Sequence, residues 1–353
     1  MKIEIDLKSL ESKAIIVKSN NARFLKKFIS IFVILISIFY LLNENLISQK
    51  INHNTDNFKY DLVLPINNKD INKFIRIQDK FKKFIKYDKI VMIGPNEIKN
   101  FFGNNSFNFI EENLLVPKEK LKDLFSEIGI ENLNRTGWYE QQFLKMAYSR
   151  ICNNEFYLIW DSDTFPIKPV NMFENSNPIF DMKKEHHSPY FTTLSRLIPD
   201  LQYCKMSYVS EHMIVKTEYM KKLLNEIENN NNLPGNLFWE KIILSIDKND
   251  ILLSGFSEFE TYGSYVDNRF PNVYKHRNWY SKRDAARFFG NIDNLEEKDF
   301  TWLSKDYDAL SFENWDDYHE KILELSNKSE IRRKISPKRF FKYYKRIIKN
   351  KNI

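Results

Sequence analysis

Apolar and polar positions alternate with two different periods along the central part of the chain, and these periods predict strands and helices in turn. Short continuous apolar runs at 61–66 and 89–94 are typical of buried strands. The residues between them, 68–85, have apolar positions three and four apart, which predicts an amphipathic helix. The same pattern predicts a strand at 107–116 and helices at 117–128 and 137–151. It predicts a further buried strand at 156–160. Strands that alternate with helices favour an α/β fold with a mostly parallel sheet and helices on both faces.

Two aspartates follow the last of these runs, in the sequence "FYLIWDSDT" (156–164). Ligands of an open parallel sheet bind beyond the carboxyl ends of its strands. In an extended segment the side chains of Asp161 and Asp163 would point to the same side. Two adjacent carboxylates repel each other unless a cation lies between them, and Mg²⁺ or Mn²⁺ accepts such ligands while keeping positions for water and substrate phosphate. The pattern therefore predicts a divalent ion on a diphosphate, although acidic pairs also cap helices and occur in turns.

Enzymes with an aspartyl nucleophile also have an apolar strand that ends in D-x-D. Their pattern needs Thr or Val two residues after the second aspartate, and Phe165 occupies that position here. Two other classes stay open: a metal-dependent phosphotransferase or nucleotidyltransferase, and a non-catalytic, membrane-associated glycan-binding protein.

Five stretches in order resemble a family of poorly characterised, mainly microbial glycosyltransferases with a GT-A-type fold. They are "GWYEQQFLKMAY" (137–148), "WDSDTFPIKP" (160–169), "HHSPYFTTLSRL" (186–197), "SYVSEHMIVKTEYMKKLL" (207–224) and "FSEFETYGSYV" (256–266). The resemblance covers roughly residues 58–290 and implies a GT-A-like domain there, with a Rossmann-type mixed sheet. It implies a glycosyltransferase that uses a nucleotide-sugar donor and a glycan, lipid-linked or protein acceptor. Asp161 and Asp163 would then hold Mn²⁺ or Mg²⁺ on the donor diphosphate.

Glycosyl transfer with inversion needs a base that takes a proton from the acceptor hydroxyl. Glu258 and Glu260, in "SGFSEFETYG" (254–263), are spaced like neighbours on one face of a strand. In inverting GT-A enzymes an acidic base commonly follows the metal motif by about this distance, so the resemblance implies Glu258 as the base and Glu260 as the alternate. Both residues also fit surface carboxylates on a loop.

A few other polar residues stand where a site would use them. The pair Glu211 and His212 interrupts a predicted apolar strand, which makes His212 a catalytic candidate and Glu211 an acceptor-binding candidate. His187 and Tyr190 lie in a segment expected to line the acceptor side. The resemblance to GT-A enzymes, some of which have a third metal ligand near the end of the domain, implies His276 as the candidate for that ligand. For each histidine, a structural role in the core or on the surface is the alternative.

Four more residues are expected on the donor side. Gln141, Gln142 and Lys145 fall near one face of the 137–151 helix, where amides and a cation would reach the nucleotide or the diphosphate. Asp70 follows the first strand, and the resemblance to GT-A enzymes implies that it contacts the base or ribose. Its alternative role is at the N-terminus of the next helix.

The formal net charge of +7 is concentrated at the two ends of the chain. Residues 328–353 contain eleven lysines and arginines and one acid, and residues 1–27 contain seven against three, so the central part is net negative. A nucleic-acid-binding protein usually has basic stripes within its folded domain, so no nucleic-acid partner is expected. The two cysteines are too few for a disulfide framework.

The N-terminal charge precedes "FISIFVILISIFYLL" (28–42), an uncharged apolar run. With the residues up to 47 it predicts a transmembrane signal anchor at 28–47, because no small-x-small cleavage site follows. Residues 1–27 would then be cytoplasmic and the catalytic domain would lie in a Golgi-type lumen of a eukaryote. The alternative is a domain on the cytoplasmic face of a bacterial inner membrane.

The chain after residue 290 has a different pattern. Residues 291–327 are acidic and aromatic without a clean strand, and they predict a helical extension. Residues 328–353 predict a basic amphipathic helix, whose apolar face framed by lysines fits an anionic membrane surface or a solvated tail.

Overall fold

The structure, a computed structural model, describes residues 58–102, 107–313 and 334–351. The strands of this part are β1 (Tyr60–Pro65), β2 (Ile90–Gly94), β3 (Phe107–Glu111), β4 (Phe156–Trp160), β5 (Thr164–Pro166), β6 (Phe173–Glu174), β7 (Asn177–Met182), β8 (His212–Lys216), β9 (Lys275–Asn278), β10 (Ser281–Lys282) and β11 (Ala309–Ser311). Its α-helices are α1 (Ile71–Phe84), α2 (Lys118–Glu127), α3 (Thr136–Ala147), α4 (Ser188–Leu197), α5 (Thr217–Glu228), α6 (Phe238–Ser245), α7 (Glu258–Arg269), α8 (Ala285–Phe289), α9 (Glu297–Leu303) and α10 (Pro337–Lys351).

The central sheet has the strand order β3-β2-β1-β4-β8. Strands β3, β2, β1 and β4 are parallel, and β8 runs antiparallel to β4. In this register Val63 of β1 lies beside Val91 of β2 and Ile159 of β4. The predicted mixed, mostly parallel α/β sheet is therefore confirmed.

The apolar sequence of these strands explains why they lie at the centre. Every residue of β1, β2 and β4 is buried, as expected for strands covered on both faces. Helix α1 buries Phe74 and Phe81 in the same core, and the Phe81 ring meets Trp160 of β4 edge to face at 5.6 Å. Each such fully buried side chain contributes roughly 1.5–3 kcal/mol relative to an exposed one.

A second, small sheet has the order β10-β11-β5 and directly follows the two aspartates. Strand β5 pairs antiparallel with β11, so that Thr164 lies opposite Ser311. The apolar and polar pattern after residue 290 did not indicate β11, because a strand of three residues is too short to show a period. A third sheet, β6-β7-β9, lies elsewhere in the same unit.

The segment around Glu258 and Glu260 is a helix, which corrects the expectation of strand neighbours. Ser257 caps helix α7, and its hydroxyl accepts a hydrogen bond from the backbone N–H of Glu260 at 3.3 Å. The serine followed by acidic residues in the first turn is a helix-start signal. The first three turns of α7 are buried almost throughout, so the apolar positions carry no clear helical period.

The C-terminal helix α10 uses its apolar face within the protein. Phe340, Phe341 and Tyr344 are buried, and Phe340 packs edge to face on Trp302 of α9 at 5.5 Å. These three aromatic residues, which the sequence suggested for a lipid surface, therefore pack on the folded domain. Exposed basic residues, including Lys342, remain on the opposite side.

The predicted anchor 28–47 and the basic segment 1–27 lie outside the described residues, as do parts of 291–327 and 328–353. None of the described helices combines the length and apolar composition that crossing a bilayer requires.

Candidate functional site

A pocket of about 640 Å³ lies where β1 and β4 end. We call it the main pocket. Its lining residues come from the segments after β1 and β4, from helices α3, α4 and α7 and the residues just before them, and from the segments after β10 and β11. They include Pro65, Asp70, Arg135, Trp138, Gln141, Gln142, Lys145, Asp161, Asp163, Tyr190, Glu258, Arg283 and Glu313. Its position matches the rule for ligand sites in open α/β sheets.

The two aspartates lie in a tight turn. The sequence had suggested an extended segment, and the structure corrects this expectation. The backbone N–H of Thr164 donates to the carbonyl oxygen of Asp161 at 3.1 Å and closes the turn. The N–H of Asp161 donates to the carbonyl oxygen of Glu211 at 2.9 Å, and the N–H of Phe312 donates to that of Asp163 at 2.9 Å. Because strands β8 and β11 hold the turn from both sides, its two carboxylates line one pocket without needing extended backbone.

Negative charge is concentrated around Asp163. Burial and, after it, the carboxylates of Asp161, Glu313 and Asp70 together raise the pKa of this carboxyl to about 7, against a lowering effect of Lys73. A carboxyl with this pKa is only partly ionised at neutral pH. A cation placed between Asp161 and Asp163 would remove the part of this shift that comes from repulsion between the two carboxylates.

Lys145 is a cation that the folded chain supplies to this site. Its buried ammonium group donates to Asp161 Oδ1 at 2.5 Å and to Glu258 Oε1 at 2.6 Å. Burial lowers the pKa of Lys145, but the two carboxylates outweigh burial and hold it above its usual value. For Glu258, burial raises the pKa, Lys145 opposes this, and Asp161 adds to it, with a raised pKa as the result.

The structure brings together most of the residues predicted for the donor side and the catalytic centre. The main pocket is lined by Asp70, Gln141, Gln142, Lys145, Asp161, Asp163, Tyr190 and Glu258. Gln142 also positions Glu258, because its Oε1 accepts the backbone N–H of Glu258 at 3.2 Å. Asp70 stands at the N-cap position of α1 and forms an ion pair with Lys73 at 3.4 Å.

The predicted histidines lie away from the aspartates. His212 stacks on Trp160 at 4.3 Å, and its Nε2 lies 2.9 Å from Asp181 Oδ2 in the core. His276 pairs with Asp267 at 2.8 Å on the strand β9 side, which leaves it outside the main pocket. His187 lies beside the pocket, where its Nε2 is 2.9 Å from the carbonyl oxygen of Ser254.

Glu211 is buried, and its backbone stabilises the turn that contains the two aspartates. Its φ of 64° is unusual for a residue with a side chain, and its carbonyl receives the N–H of Asp161. Its carboxylate accepts from Lys183 and from Trp279 Nε1, the latter at 3.1 Å. Burial favours a higher pKa of Glu211, but Lys183 and Arg283 outweigh it and keep the pKa below its usual value.

Glu260 lies in the core beside the site and not in the main pocket. Its Oε2 accepts the hydroxyl of Ser207 at 2.7 Å and the N–H of Tyr208 at 3.2 Å. Its Oε1 is buried and has no hydrogen-bond partner among the described residues. Burial raises the pKa of Glu260 to about 7, despite the two hydrogen bonds.

Glu260→Gln is expected to stabilise the protein at pH 8 and to have little effect at pH 5. The folded pKa of Glu260 is above its ordinary value of 4.5, so its stabilising contribution is complete below pH 4.5 and is lost as the pH rises through about 7. That loss corresponds to about 3 kcal/mol for a buried group. Urea unfolding at both pH values measures the difference, with the exposed Glu119→Gln as the control. Equal pH dependence of the Glu260→Gln variant and the wild type would contradict the assignment.

Three charged residues of the pocket were missed from the sequence: Arg135, Arg283 and Glu313. Glu313 follows the apolar end of β11 in the way that Asp161 follows β4, so the strand-end argument would have found it if β11 had been recognised. Arg135 directly precedes α3, and a cation at that position does not by itself indicate a binding site. Arg283 is placed by the two-residue strand β10, which is too short to predict.

The donor set of the pocket fits a hard divalent ion. Asp161 and Asp163 offer carboxylate oxygens, the ligands that Mg²⁺ and Mn²⁺ prefer. Within the described ranges, no group of three or more His, Cys, Asp or Glu residues is arranged to hold a metal ion. An ion at the two aspartates would therefore take its other ligands from water and substrate.

The fold and this pocket define an α/β protein with an acidic site at the carboxyl edge of a mostly parallel sheet. The chain belongs to a family described as a family of unknown function (DUF6492), whose model matches residues 57–321. No curated protein matches the chain. Because the family description gives no activity, the motifs in 137–148, 160–169 and 256–266 remain expectations about function.

Three solved structures with glycosyltransferase names are similar to the chain at low identity. Mouse xyloside xylosyltransferase 1 in its apo form is 11% identical with a TM-score of 0.38, over 73% of this chain and 98% of that chain. The galactosyltransferase LgtC with donor and acceptor sugar analogues is 8% identical with a TM-score of 0.37, over 77% of this chain and 93% of that chain. The PaToxG glycosyltransferase is 12% identical with a TM-score of 0.31, over 61% of this chain and 70% of that chain. Such weak likeness carries no argument about the chemistry of this chain, which is drawn from the pocket itself.

Proposed function

We propose that the protein is a metal-dependent glycosyltransferase that moves a sugar from a nucleotide-sugar donor to a hydroxyl acceptor. One observation carries this proposal: the turn after β4 presents Asp161 and Asp163 to one pocket, where burial and the neighbouring carboxylates raise the pKa of Asp163 to about 7. Such a pair supports Mn²⁺ or Mg²⁺ binding with a diphosphate as the remaining ligand. The bound ion would stabilise the negative charge that develops on the departing nucleoside diphosphate.

The shape of the site supports an elongated donor. A second space of about 460 Å³, which we call the helix α3 cavity, shares Pro65, Trp138 and Gln141 with the main pocket. It extends past the ends of β1 and β2, and its polar lining includes the Lys118–Glu140 ion pair at 2.9 Å. The nucleoside would occupy this cavity while the diphosphate and the sugar lie in the main pocket.

The chain's own residues would divide the work in the main pocket. Lys145 fixes the orientation of Asp161 through its hydrogen bond of 2.5 Å. Arg135 and Arg283 line the pocket as cations that suit phosphate oxygens. On the acceptor side, Tyr190 lines the pocket and His187 lies next to it, whereas Glu211 acts through the turn that it supports.

The hydrogen bond from Lys145 limits what Glu258 can do in this scheme. Its Oε1 is bound to Lys145, so a proton could reach the carboxylate only in competition with a buried ammonium group. The sequence-based role of Glu258 as the base stays a prediction. Membrane attachment through residues 28–47, and with it the compartment, also stays a proposal from the sequence.

The proposal predicts that the full-length chain binds a nucleotide sugar much more tightly when Mn²⁺ is present. Isothermal titration with a panel of nucleotide sugars, with and without Mn²⁺, measures this, and we expect at least a tenfold difference in Kd because the diphosphate completes the ion's ligands. Nucleoside monophosphates, which lack the diphosphate, serve as the matched control. Exchange or hydrolysis of nucleoside triphosphates without release of nucleoside diphosphate from sugar donors would instead support a nucleotidyltransferase or phosphotransferase.

A further inference from the structure

A third space of about 380 Å³ adjoins the main pocket, and we call it the Glu313 cavity. Its wall is built by helix α1, the α8 region and strand β11. The residues that it shares with the main pocket are Asp163 and Glu313. Two ligands that occupied these two spaces would therefore meet at Asp163 and Glu313.

Glu313 stands at this shared wall with one carboxylate oxygen in a hydrogen bond and the other without a hydrogen-bond partner among the described residues. Its Oε1 accepts a hydrogen bond from Arg283 Nε at 2.9 Å, which fixes the plane of the carboxylate. Its Oε2 is buried and has no hydrogen-bond partner in the described part of the chain. The residue as a whole is 7% exposed. A buried carboxylate oxygen without a partner is costly unless a ligand or water supplies a donor.

Glu258 does not have this geometry. It lines the main pocket but not the Glu313 cavity, and its Oε1 already accepts from Lys145. A general base must lie within hydrogen-bond reach of the proton that it removes, so the carboxylate between two ligand spaces is better placed than one that faces a single space.

We propose that the Glu313 cavity binds the acceptor and that Glu313 Oε2 is the general base of the transfer. This inference rests on the proposed function and adds the acceptor subsite and the base. The acceptor hydroxyl oxygen forms a bond to the anomeric carbon of the donor while the bond from that carbon to the diphosphate oxygen breaks. The hydroxyl proton passes to Glu313 Oε2, and the electron pair of the broken bond leaves with the nucleoside diphosphate.

The polar lining of the cavity indicates the class of acceptor. Asn72 and Asn291 offer amide groups, and Lys73 and Arg76 add cationic donors, each of them also paired with an acidic residue of the chain. Amide and cationic donors around a space that the carboxylates of Asp163 and Glu313 also line suit the hydroxyl-rich ring of a glycan. The structure assigns the cavity to a sugar acceptor.

Glu313→Gln in the full-length chain is the central test. Glutamine keeps an oxygen that accepts the hydrogen bond from Arg283 but cannot act as a base. We therefore expect the rate of transfer to methyl glycosides of common sugars to fall at least about 100-fold. The Kd for nucleotide sugar with Mn²⁺ and the melting temperature should stay close to the wild-type values. Formate or azide should restore part of the activity of Glu313→Ala, because a small anion can replace the missing base. The same measurements on Glu258→Gln compare the two candidate bases.

The acceptor subsite has its own test. Asn72→Trp fills the cavity from an exposed position on α1, and we expect it to raise KM for the methyl glycoside at least tenfold without changing donor affinity. Lys82→Trp, exposed on the same helix outside the cavity, is the matched control.

Several results would overturn the inference. Transfer by Glu313→Gln within fivefold of wild type, loss of donor binding in that variant, or retention of the anomeric configuration in the product would each reject Glu313 as the base. An unchanged acceptor KM in Asn72→Trp, or donor hydrolysis without transfer to any glycoside, would reject the acceptor subsite. If the wild type binds no nucleotide sugar at all, the proposed function itself fails, and that outcome is recognised before any variant is made.

Discussion

Asp163→Asn is expected to abolish Mn²⁺ binding and to lower the turnover of a nucleotide sugar by at least about 100-fold, a loss of roughly 3 kcal/mol of transition-state stabilisation. The reason is that asparagine keeps the shape of Asp163 but removes one of the two carboxylates that the turn presents to the main pocket. Titration calorimetry with Mn²⁺ alone, followed by assay of nucleoside diphosphate release, measures both effects. Asp123→Asn, an exposed substitution on α2, is the matched control.

The same variant separates a functional loss from a folding defect. The pKa of Asp163 is raised to about 7 in the folded chain, above its ordinary value of 3.8. The contribution of this carboxyl to stability is therefore complete below pH 3.8 and disappears as the pH rises through about 7. Without metal at pH 8, Asp163→Asn should therefore melt at a higher temperature than the wild type. Mn²⁺ should raise the melting temperature of the wild type and leave that of the variant unchanged. A metal-free variant that is less stable than the wild type at pH 8 would contradict the raised pKa of Asp163. A variant that still responds to Mn²⁺ would show that Asp163 is not a ligand.

The apolar and polar pattern was sufficient for the central sheet and for the position of the aspartates. Strands such as β1 and β4 are continuous apolar runs, and a short run of this kind bounded by polar residues is typical of a buried strand. The strand-end rule then placed Asp161 and Asp163 at the edge of the sheet where the main pocket lies, without any knowledge of tertiary contacts. Helix α3 carried Gln141, Gln142 and Lys145 to the same pocket, as its amphipathic spacing predicted.

The parts that the sequence did not predict depend on contacts between distant segments. Lys145 and Glu258 are 113 positions apart, and neither residue indicates that the other is its partner. Glu258 was assigned to a strand because its helix is buried on nearly all sides, which removes the helical period of apolar positions. Glu313 was missed because β11 has three residues, and its role depends on pairing with β5 across more than 140 positions.

Lys145→Met is expected to cost about 3–5 kcal/mol of the free energy of unfolding at pH 8, the usual result of removing one partner from a buried ion pair. Lys145 is 6% exposed and Glu258 is 3% exposed, so the variant leaves the Glu258 carboxylate without its cation in a dry environment. That loss raises the pKa of Glu258 beyond its already raised value, so the destabilisation should be smaller at pH 5 than at pH 8. Urea unfolding at both pH values measures the two costs.

A double-mutant cycle identifies the cause of that cost. Adding Glu258→Gln to Lys145→Met removes the unpaired charge, so the double variant should recover most of the stability, with a coupling energy of about 1–3 kcal/mol. Lys122→Met breaks an exposed ion pair with Glu119 and should change stability by less than about 1 kcal/mol, because such pairs are screened by water. Recovery of stability without recovery of donor binding would show that Lys145 has a second role, which is to hold Asp161 in the orientation that the divalent ion requires. If the single variant were as stable as the wild type at pH 8, the buried pair could not be the element that joins α3, the aspartate turn and α7 into one site.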